Sequence, residues 1–581
     1  MFKNLRYFIL FIFPLIFLSN CSMHKEPISS QNNERFGIMT HFSQGPSDGW
    51  PVSLIDELNS SSLRYVRDEI PWAGIEEKKG SFSFPAEYDA YMAKLNEYKI
   101  SPFIVLAFAN KNYDQGQTPH SEEGLAGYAR YCREVLAHYG TQIHDVEIWN
   151  EYNGGFCTGP AAQAKEENYL KMLKAAYTSI KANRPDVTVV GGATAGVPLI
   201  YWEKLLASGA AKYMDALSIH PYRFEMPPEG IQNEVTSLRE LIKKYNGGKE
   251  KPIWVSEIGW GASNNEVTGS MSITEEIQAK FLTRVYALLL SAKVERVYWY
   301  LLQDYQEFEM GLLKRDSAPR KSYLALKTLQ KELQGMRFIK REASEDDLYS
   351  MLFADNSGKE VRILWTISPT SKHYNLKTSD GVVDMLGNSV DLSNGIDLTD
   401  EPLYIRGKVS GLSFAGNFNT SLITDSELDF SKTQGKNGWF YGFYEEGAFK
   451  LMSEFNTTDK VQWNDQYPFL LIAPAEQHPS LQEDKPMSAV RRWVSSFDGK
   501  IEIRAEFYHG SEGDGVGVSV CMDGQKFFRE LIGKQNNLSK TFITTQVVKK
   551  GTTLDFVVDP GDNSNMECDG TMMNIRIHRA Q

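Results

Sequence analysis

The chain has 581 residues, of which 42% are hydrophobic and 23% charged, so we expect a globular protein of about two to four compact units. The formal net charge of −12 argues against nucleic-acid binding, because a surface that contacts phosphates needs clustered Lys and Arg. Aromatic residues make up 12% of the chain. They fit either large β-domain cores or platforms on which sugar rings stack, and composition leaves both interpretations open.

Residues 1–21 have the pattern of a targeting segment. Lys3 and Arg6 precede an apolar run, 7–18, that is too short to span a bilayer comfortably. Residues 18–21, Leu-Ser-Asn-Cys, resemble the lipobox of bacterial lipoproteins, which implies lipidation of Cys21 and a place in the bacterial cell envelope, facing the periplasm or the exterior. An ordinary secretory signal or an uncleaved anchor is the alternative. Residues 22–35 are polar and are predicted to form a tether.

The four remaining cysteines lie in a chain that is predicted to be exported, where disulfides persist. Cys521 and Cys568 fall in one C-terminal unit and are a candidate pair. The sequence shows no cluster of Cys and His at metal-ligand spacing and no glycine-rich phosphate loop, so we predict neither a metal nor another cofactor.

Short apolar strands alternate with amphipathic helices over residues 36–335. The predicted strands are 36–42, 63–72, 101–110, 144–151, 188–196, 214–222, 252–260 and 296–304. Helical patterns include 121–140, 167–183, 230–245 and 273–292, and Ser272 with Glu275 predicts a capping box at the start of the last. This alternation predicts an α/β fold, a (β/α)8 TIM barrel. A doubly wound sheet is the rival, but it usually has fewer strands and a nucleotide fingerprint, which the sequence lacks.

Beyond residue 335 the hydrophobic period changes to two, which is typical of β-strands. Residues 336–410 are predicted to form a small β-domain packed on the barrel. Residues 411–581 have Gly, Asp and Asn turns between short strands, which predicts a β-sandwich. Its aromatic-rich segment, 434–444, indicates either a sandwich core or a carbohydrate-binding module.

Side chains at the carboxyl ends of barrel strands point into the active site. Glu151 ends the fourth predicted strand, and Glu257 lies on the seventh. Cleavage of a glycosidic bond needs one protonated carboxyl group for the leaving oxygen and one carboxylate for the oxocarbenium-like centre. A lone glutamate at a strand end is usually a structural ion-pair partner, but two on facing strands favour the catalytic interpretation.

The residues around these glutamates carry a specific resemblance. Segments 147–151, Glu-Ile-Trp-Asn-Glu, and 254–257, Trp-Val-Ser-Glu, resemble the clan A glycoside hydrolases, which are retaining enzymes. Val66 and Arg67, segment 218–222 and segment 398–407 are most similar to family 39 and its relatives. The resemblance covers about residues 36–407. It implies that Glu257 is the nucleophile and Glu151 the acid/base.

The resemblance also implies roles for the neighbours of the two glutamates. Asn150 would bind the sugar 2-hydroxyl, and Arg67 would keep Glu257 ionised, unless it pairs with Asp68 or Glu69 instead. Tyr222 would donate a hydrogen bond to Glu257. His220 would contact the sugar or the acid/base, with a purely structural histidine as the alternative.

Three further residues are weaker candidates for contacts with substrate. Trp299 would form the floor under the sugar at the cleavage site, although core packing is its alternative and Tyr300 is the other aromatic at that strand end. His41 and Asn110, at the ends of the first and third predicted strands, complete the set.

These features predict a retaining glycosidase that acts on a poly- or oligosaccharide through a covalent glycosyl-enzyme. A transglycosylase would use the same carboxylate pair, and a non-catalytic glycan-binding surface lipoprotein is a third possibility. The predicted partner is carbohydrate, with no nucleic acid and with the membrane contacted only through the lipid anchor. The oligomeric state is left open.

Overall fold

The computed structural model describes residues 35–44, 52–61, 63–223, 227–262, 273–305, 309–342, 348–367, 371–411, 422–427, 429–456, 462–482, 485–509, 514–533, 539–562 and 568–580. The predicted lipidation site, Cys21, and the predicted signal and tether up to residue 34 lie outside the described residues, as does Ser272. In the part of the chain that is described, no helix is long and apolar enough to cross a membrane.

Parallel strands close into a barrel in the order β1 to β8, which confirms the predicted TIM barrel. They are β1 Phe36–Met39, β2 Tyr65–Glu69, β3 Ser101–Leu106, β4 Asp145–Ile148, β5 Thr188–Ala195, β6 Ala216–His220, β7 Ile253–Ile258 and β8 Arg296–Trp299. β1 pairs with β8 to complete the ring. At this seam the ring of Tyr298 lies against Gly37, where a Cβ atom would come within 2.2 Å of it. The seam therefore requires glycine.

The interior of the barrel is filled by side chains near the beginnings of its strands. Phe103, Val190, Ala216, Trp254 and Tyr298 form one buried cluster, with one member from each of five strands. This packed layer closes the amino-terminal end, as is usual for the fold. Side chains at the carboxyl ends are left to form the site.

Helices alternate with the barrel strands and cover the outside of the barrel. They are α1 Ile55–Ser60, α2 Trp72–Ile75, α3 Ala86–Glu97, α4 Glu122–Tyr139, α5 Lys165–Asn183, α6 Leu199–Ala207, α7 Ile231–Tyr245, α8 Glu275–Ser291 and α9 Lys321–Glu332. The capping-box prediction for α8 was wrong in its register. Thr274 is the N-cap, and its side chain accepts a hydrogen bond from the backbone N–H of Ile277.

A β-sheet follows the barrel and shares its core. The strands of this region are β9 Arg337–Glu342, β10 Leu348–Ala354, β11 Glu360–Thr366, β12 Lys372–Tyr374, β13 Lys377–Thr378, β14 Val382–Asp384, β15 Ser389–Val390, β16 Ile396–Leu398, β17 Leu403–Arg406 and β18 Val409–Ser410. The main sheet has the order β15-β14-β17-β11-β10-β9. Trp365 and Tyr404 of this sheet belong to the same buried cluster as residues of α8 and α9. The indole of Trp365 donates to Glu229 of the barrel at 2.9 Å.

The C-terminal region is built of two antiparallel sheets, consistent with the predicted β-sandwich. Its strands are β19 Leu422–Asp425, β20 Trp439–Glu445, β21 Ala448–Leu451, β22 Glu454–Asn456, β23 Gln462–Asn464, β24 Leu471–Ile472, β25 Glu476–His478, β26 Ser480–Gln482, β27 Lys485–Val494, β28 Gly499–His509, β29 Val516–Met522, β30 Gln525–Ile532, β31 Ser539–Val548, β32 Thr553–Asp559 and β33 Thr571–Arg579. The first sandwich sheet has the order β22-β23-β24-β25-β33-β28-β31, and β19 also pairs with β33. The second has the order β21-β20-β27-β32-β29-β30, and β26 pairs with β27.

The aromatic-rich segment lies inside this sandwich. Trp439, Tyr441 and Phe443 of β20 are buried in its core. Core packing is therefore the correct interpretation for these three rings. Cys521 is buried and Cys568 exposed, and both are free thiols, so the candidate disulfide is not formed.

Candidate active site

Glu151 and Glu257 lie together at the carboxyl end of the barrel. Glu257 is within β7, and Glu151 follows the end of β4 by three residues. One oxygen of each carboxylate and one ring nitrogen of His220 all lie within 4.8 Å of one another. The side chain of Glu151 is 20% exposed and that of Glu257 is 11% exposed, so both face a partly open mouth.

The backbone around Glu151 leaves the strand in a conformation that few side chains adopt. The predicted strand runs to Glu151, but β4 ends at Ile148. Trp149 and Glu151 have φ values of 69° and 42°, in the left-handed region, which costs about 1–3 kcal/mol for a residue other than glycine. The N–H of Glu151 donates to the carbonyl of Ala193 at 2.7 Å, which holds this turn against β5. The turn places the carboxylate over the barrel mouth.

Arg67 joins the two sides of the site. Its Nη1 donates to Oε1 of Glu257 at 2.5 Å, and its Nη2 donates to Oδ1 of Asn150 at 3.0 Å. Its Nε donates to Oε2 of Glu147 at 2.7 Å. Arg67 is almost fully buried, so these contacts are shielded from water. Asp68, one of the alternative partners, instead accepts hydrogen bonds from Thr40 and other groups of the β1 loop.

Glu147 is a member of this site that the sequence analysis did not single out. On β4 it lies between Val146 and Ile148, and its side chain is completely buried. A carboxylate inside a barrel is costly unless a cation pairs with it. A charged residue in the middle of an apolar strand is the signal that would have identified it.

Glu257 is held as a carboxylate. Tyr222 donates from its hydroxyl to Oε2 at 2.8 Å, opposite the contact from Arg67. Burial by itself raises the pKa of Glu257, but the electrostatic influence of His220 and Arg67 and the hydrogen bonds from Tyr222 and Arg67 outweigh it and lower this pKa below its ordinary value. The group is therefore ionised and oriented.

His220 connects to the other carboxylate. Its Nδ1 lies 3.0 Å from Oε1 of Glu151, and its Nε2 lies 3.0 Å from the hydroxyl of Ser256. The ring is completely buried, and the two bonds fix its orientation. Ser256 directly precedes Glu257 on β7, so His220 links the surroundings of the two glutamates.

Glu151, His220 and Glu257 have the donor types of a metal site and are close enough to share an ion. Each is also held by protein groups. Glu257 accepts from Arg67 and Tyr222, and both ring nitrogens of His220 have a partner. A guanidinium in direct contact with one of the carboxylates opposes a second cation, so the set favours proton transfer and nucleophilic chemistry.

A family model matches part of this sequence, and solved structures are similar to it in fold. Residues 149–322 match the family model of the glycosyl hydrolase catalytic core. The structure is similar to a family 39 glycoside hydrolase from the gut symbiont Bacteroides cellulosilyticus WH2, with 22% identity and a TM-score of 0.56 over 65% of this chain and 82% of that one. Two lower-scoring likenesses are to a family 39 β-xylosidase from Caulobacter crescentus and a glucosidase from Croceicoccus marinus. The first has 16% identity and a TM-score of 0.44 over 64% of this chain and all of that one. The second has 12% identity and a TM-score of 0.45 over 94% and 96%. No curated protein matches the sequence.

The family match spans both strand ends that carry the glutamates, together with His220 and Tyr222. This half of the barrel matches the glycosyl hydrolase catalytic core. The protein is thus a glycosidase, and its substrate is a carbohydrate.

The aromatic that borders the mouth of the glycosidase is Tyr300, not Trp299. Trp299 is completely buried, packs on Trp260 and donates from its indole to the carbonyl of Met310. That environment offers no face to a sugar. Tyr300 is partly exposed, and its ring lies edge-on to Tyr222 at 6.3 Å. β8 ends at Trp299, so the next residue has left the ladder and turned toward the site.

The two weaker candidates have different surroundings. His41 is stacked on Tyr305, and its Nε2 lies 3.3 Å from the hydroxyl of Tyr300, so it borders the site through that ring. Burial lowers the pKa of His41 to about 4, which keeps it neutral. Asn110 is buried and donates from its amide to the carbonyl of Glu76 at 2.9 Å. It fixes a loop from a buried position, and its contact with substrate stays a prediction.

An aromatic ledge, formed by Phe108 and Phe156, lies in the loops that follow β3 and β4, the second of which carries Glu151. The rings are stacked with centroids 5.3 Å apart, and Phe156 is 46% exposed. Phe156 follows Glu151 by five residues, and its carbonyl accepts from the indole of Trp149 at 3.1 Å. Thr118 and Thr158 bond to each other's backbone N–H groups and tie the two loops together. The ledge is therefore rigid as well as exposed.

Proposed function

We propose that the glycosidase is a retaining enzyme that works by double displacement. The separation of the two carboxylates carries this proposal, since their nearest oxygens lie within 4.8 Å. Retaining glycosidases place the two carboxyl groups about 5–5.5 Å apart, and inverting enzymes place them about 6.5–9.5 Å apart to admit a water molecule. The short separation supports direct attack on the sugar.

In this mechanism Glu257 attacks the anomeric carbon while Glu151 donates a proton to the leaving oxygen. Arg67 and Tyr222 hold Glu257 ionised for the attack. Glu151 then removes a proton from water, which attacks the same carbon and releases the sugar with its original configuration. Asn150 accepts from Arg67 through its amide oxygen, which leaves its NH₂ group for the sugar 2-hydroxyl.

The aromatic ledge supports a poly- or oligosaccharide as substrate. Glu151 protonates the leaving group, so the loop that follows it borders the leaving side of the cleaved bond. An exposed phenylalanine there offers a flat apolar surface to a second sugar ring. A substrate with a sugar on the leaving side would use this surface, and a single sugar with a small leaving group would not.

The roles of the glutamates are tested with Glu257→Ala and Glu151→Gln on aryl glycosides. Loss of the nucleophile is expected to abolish turnover. Loss of the acid/base lowers the rate by about 10²–10⁴-fold, less for leaving groups that need no proton. The exposed Glu240→Gln serves as the control and should keep wild-type activity. NMR of the first product anomer should show retention, and observed inversion would refute the covalent mechanism.

We also propose that the enzyme is anchored to the bacterial envelope by a lipid on Cys21. The apolar run before Cys21 and the polar segment after it support this proposal. Membrane fractionation tests it, with Cys21→Ser as the variant and Cys568→Ser as the control. The control should stay with the membranes and the Cys21 variant should not. An unchanged distribution of both would exclude the anchor.

A further inference from the structure

The second sandwich sheet carries a groove on the face that points away from the sandwich core. Its volume is about 880 Å³, and β20, β21, β27, β29 and β30 line it. On β20 the side chains alternate, so that Trp439, Tyr441 and Phe443 enter the core and Tyr444 lines the groove. On β27, Arg492 lies between core-facing neighbours in the same way. The groove is therefore separate from the core aromatics.

The floor of the groove is apolar and tightly packed. Val490, Cys521 and Val557 form a small buried cluster there, and Tyr444 and Phe449 pack against it. Gly442 makes this packing possible. A Cβ atom at that position would come within 2.7 Å of the Phe449 ring, so glycine lets the ring lie on the sheet.

A salt bridge under the groove holds the aromatic walls in place. Arg492 donates to both carboxylate oxygens of the buried Asp555, at 2.6 and 2.8 Å. Its guanidinium carbon lies 3.8 Å from the centroid of the Phe449 ring, a cation–π contact. The hydroxyl of Tyr444 donates to the same aspartate. Both rings are thus preorganised, which reduces the entropy that a ligand would have to remove.

The groove is locally cationic although the protein is acidic. Three cations line it, Lys485, Arg492 and Lys526, together with one acid, Glu446. When the buried Asp555 is counted as well, one net positive charge remains. The whole chain carries −12. Two aromatic rings suit the apolar faces of sugars, and Lys526 suits a carboxylate, whereas Lys485 pairs with Glu446 at 2.9 Å.

We propose that this groove binds an acidic glycan, a polysaccharide chain that bears uronate carboxylates. Such binding adds a second, non-catalytic carbohydrate site to the enzyme. It would raise the effective concentration of polymer at the barrel without taking part in bond cleavage. The proposal does not depend on which bond the barrel cuts.

The test uses the full chain with Glu257→Gln, so that the polymer is not degraded during the measurement. The probes are polygalacturonate and alginate in affinity gel electrophoresis, together with carboxyl-reduced forms of the same polymers. The protein should be retarded by at least one of the acidic polymers, and less so as salt rises, because the contacts are partly ionic. Failure to bind either acidic polymer, or equal binding of the reduced forms, overturns the proposal.

Variants in the same background locate the site. Phe449→Ala and Lys526→Ala should each weaken binding by about tenfold, while Phe469→Ala should not. Phe469 is a control ring in the sandwich, 63% exposed, more than Phe449, and outside the groove. An equal loss in the control would contradict the assignment. With Glu257 restored, the groove variants should keep wild-type turnover of a small aryl glycoside, which separates this outcome from failure of the catalytic proposal.

Discussion

Arg67 is the residue on which the chemistry of the site converges. One buried guanidinium meets two carboxylates, Glu147 and Glu257, and the amide of Asn150. Glu147 has no solvent exposure and serves to hold Arg67, whereas Glu257 faces the mouth. The same cation therefore has a structural and a functional partner. Tyr222 donates the other hydrogen bond to Glu257, the proposed nucleophile, and its hydroxyl is neutral, so removing it leaves no unpaired charge.

Tyr222→Phe tests whether the hydroxyl keeps Glu257 ionised. The hydrogen bond lowers the pKa of Glu257, so its loss should raise that pKa. The nucleophile is active only as a carboxylate, and activity is lost as pH falls through its pKa. The acidic limb of kcat/KM should thus move to higher pH. Near neutrality kcat/KM should fall by roughly tenfold or more, the usual worth of a hydrogen bond to a charged group.

The control for that variant is Tyr201→Phe, which removes a buried hydroxyl on α6. It should change neither the pH profile nor the rate. An unshifted acidic limb in Tyr222→Phe would show that Arg67 and His220 alone set the ionisation of Glu257.

Phe156→Ala tests the aromatic ledge. Loss of the exposed ring should raise KM by about three- to tenfold for substrates with a sugar on the leaving side, which corresponds to about 0.7–1.4 kcal/mol of lost contact. Hydrolysis of an aryl glycoside of a single sugar should be unchanged. Leu324→Ala, an exposed apolar residue on α9, is the matched control. Equal effects on both substrate types would argue against a role in binding the leaving sugar.

At the scale of elements, hydrophobic periodicity predicted the barrel strands well and their ends poorly. The predicted fourth strand includes Glu151, and the eighth includes Tyr300, but both residues follow the last ladder pair. At these two positions the chain turns just beyond the last ladder pair and directs the side chain to the mouth, whereas Arg67 and Glu257 lie within their strands. Hydrophobic periodicity does not predict where the chain turns. The sequence analysis therefore favoured Trp299 over Tyr300 as the aromatic that contacts the sugar. The pairing of Arg67 with Glu147, 80 residues apart, is equally invisible in a local pattern.

The start of α8 offers a direct comparison between pattern and structure. Thr274→Ala should destabilise the barrel by about 1 kcal/mol, because its side chain satisfies the N–H of Ile277. Ser272→Ala, at the position that the capping-box pattern favoured, should have a much smaller effect. Urea unfolding followed by tryptophan fluorescence measures both. A larger loss of stability in Ser272→Ala than in Thr274→Ala would support a capping box that starts at Ser272.

At the scale of the whole molecule, the sandwich is joined to the active-site strand by buried charges. Arg576 on β33 bonds Asp425 at 3.2 Å and lies against Gly230 at the start of α7, where a Cβ atom would overlap its guanidinium. On the same helix, Glu234 pairs with Arg223, the residue that follows Tyr222. The sandwich thus packs on the helix that supports β6 and its site residues.

Arg576→Ala tests this junction through its pH dependence. Burial raises the pKa of Glu234 to about 8 and also raises the pKa values of Glu427 and Glu506, so Glu234 is protonated at pH 5 and ionises as pH rises toward 8. Native carboxyls with a raised pKa hold protons that the unfolded chain has lost, so the stability of the wild type should fall over that range. Without Arg576, Glu234 keeps Arg223 as its cation but loses the second positive charge that offsets the acids around it. Asp425 loses its partner at both pH values, so the loss of stability in the variant should be larger at pH 8, where it should reach about 3–5 kcal/mol, than at pH 5.

Urea unfolding at the two pH values measures this difference, and kcat on a small substrate reports whether the disturbance reaches Tyr222. Arg579→Ala is the control on the same strand, since its guanidinium lies over the ring of Phe497 and outside the acidic cluster. It should show no pH-dependent loss. If Arg576→Ala lost the same stability at pH 5 and pH 8, the acids would be ionised throughout, and the junction would be an ordinary set of ion pairs. A larger loss at pH 8 than at pH 5, accompanied by a lower kcat, would show that the sandwich helps to position the catalytic strand.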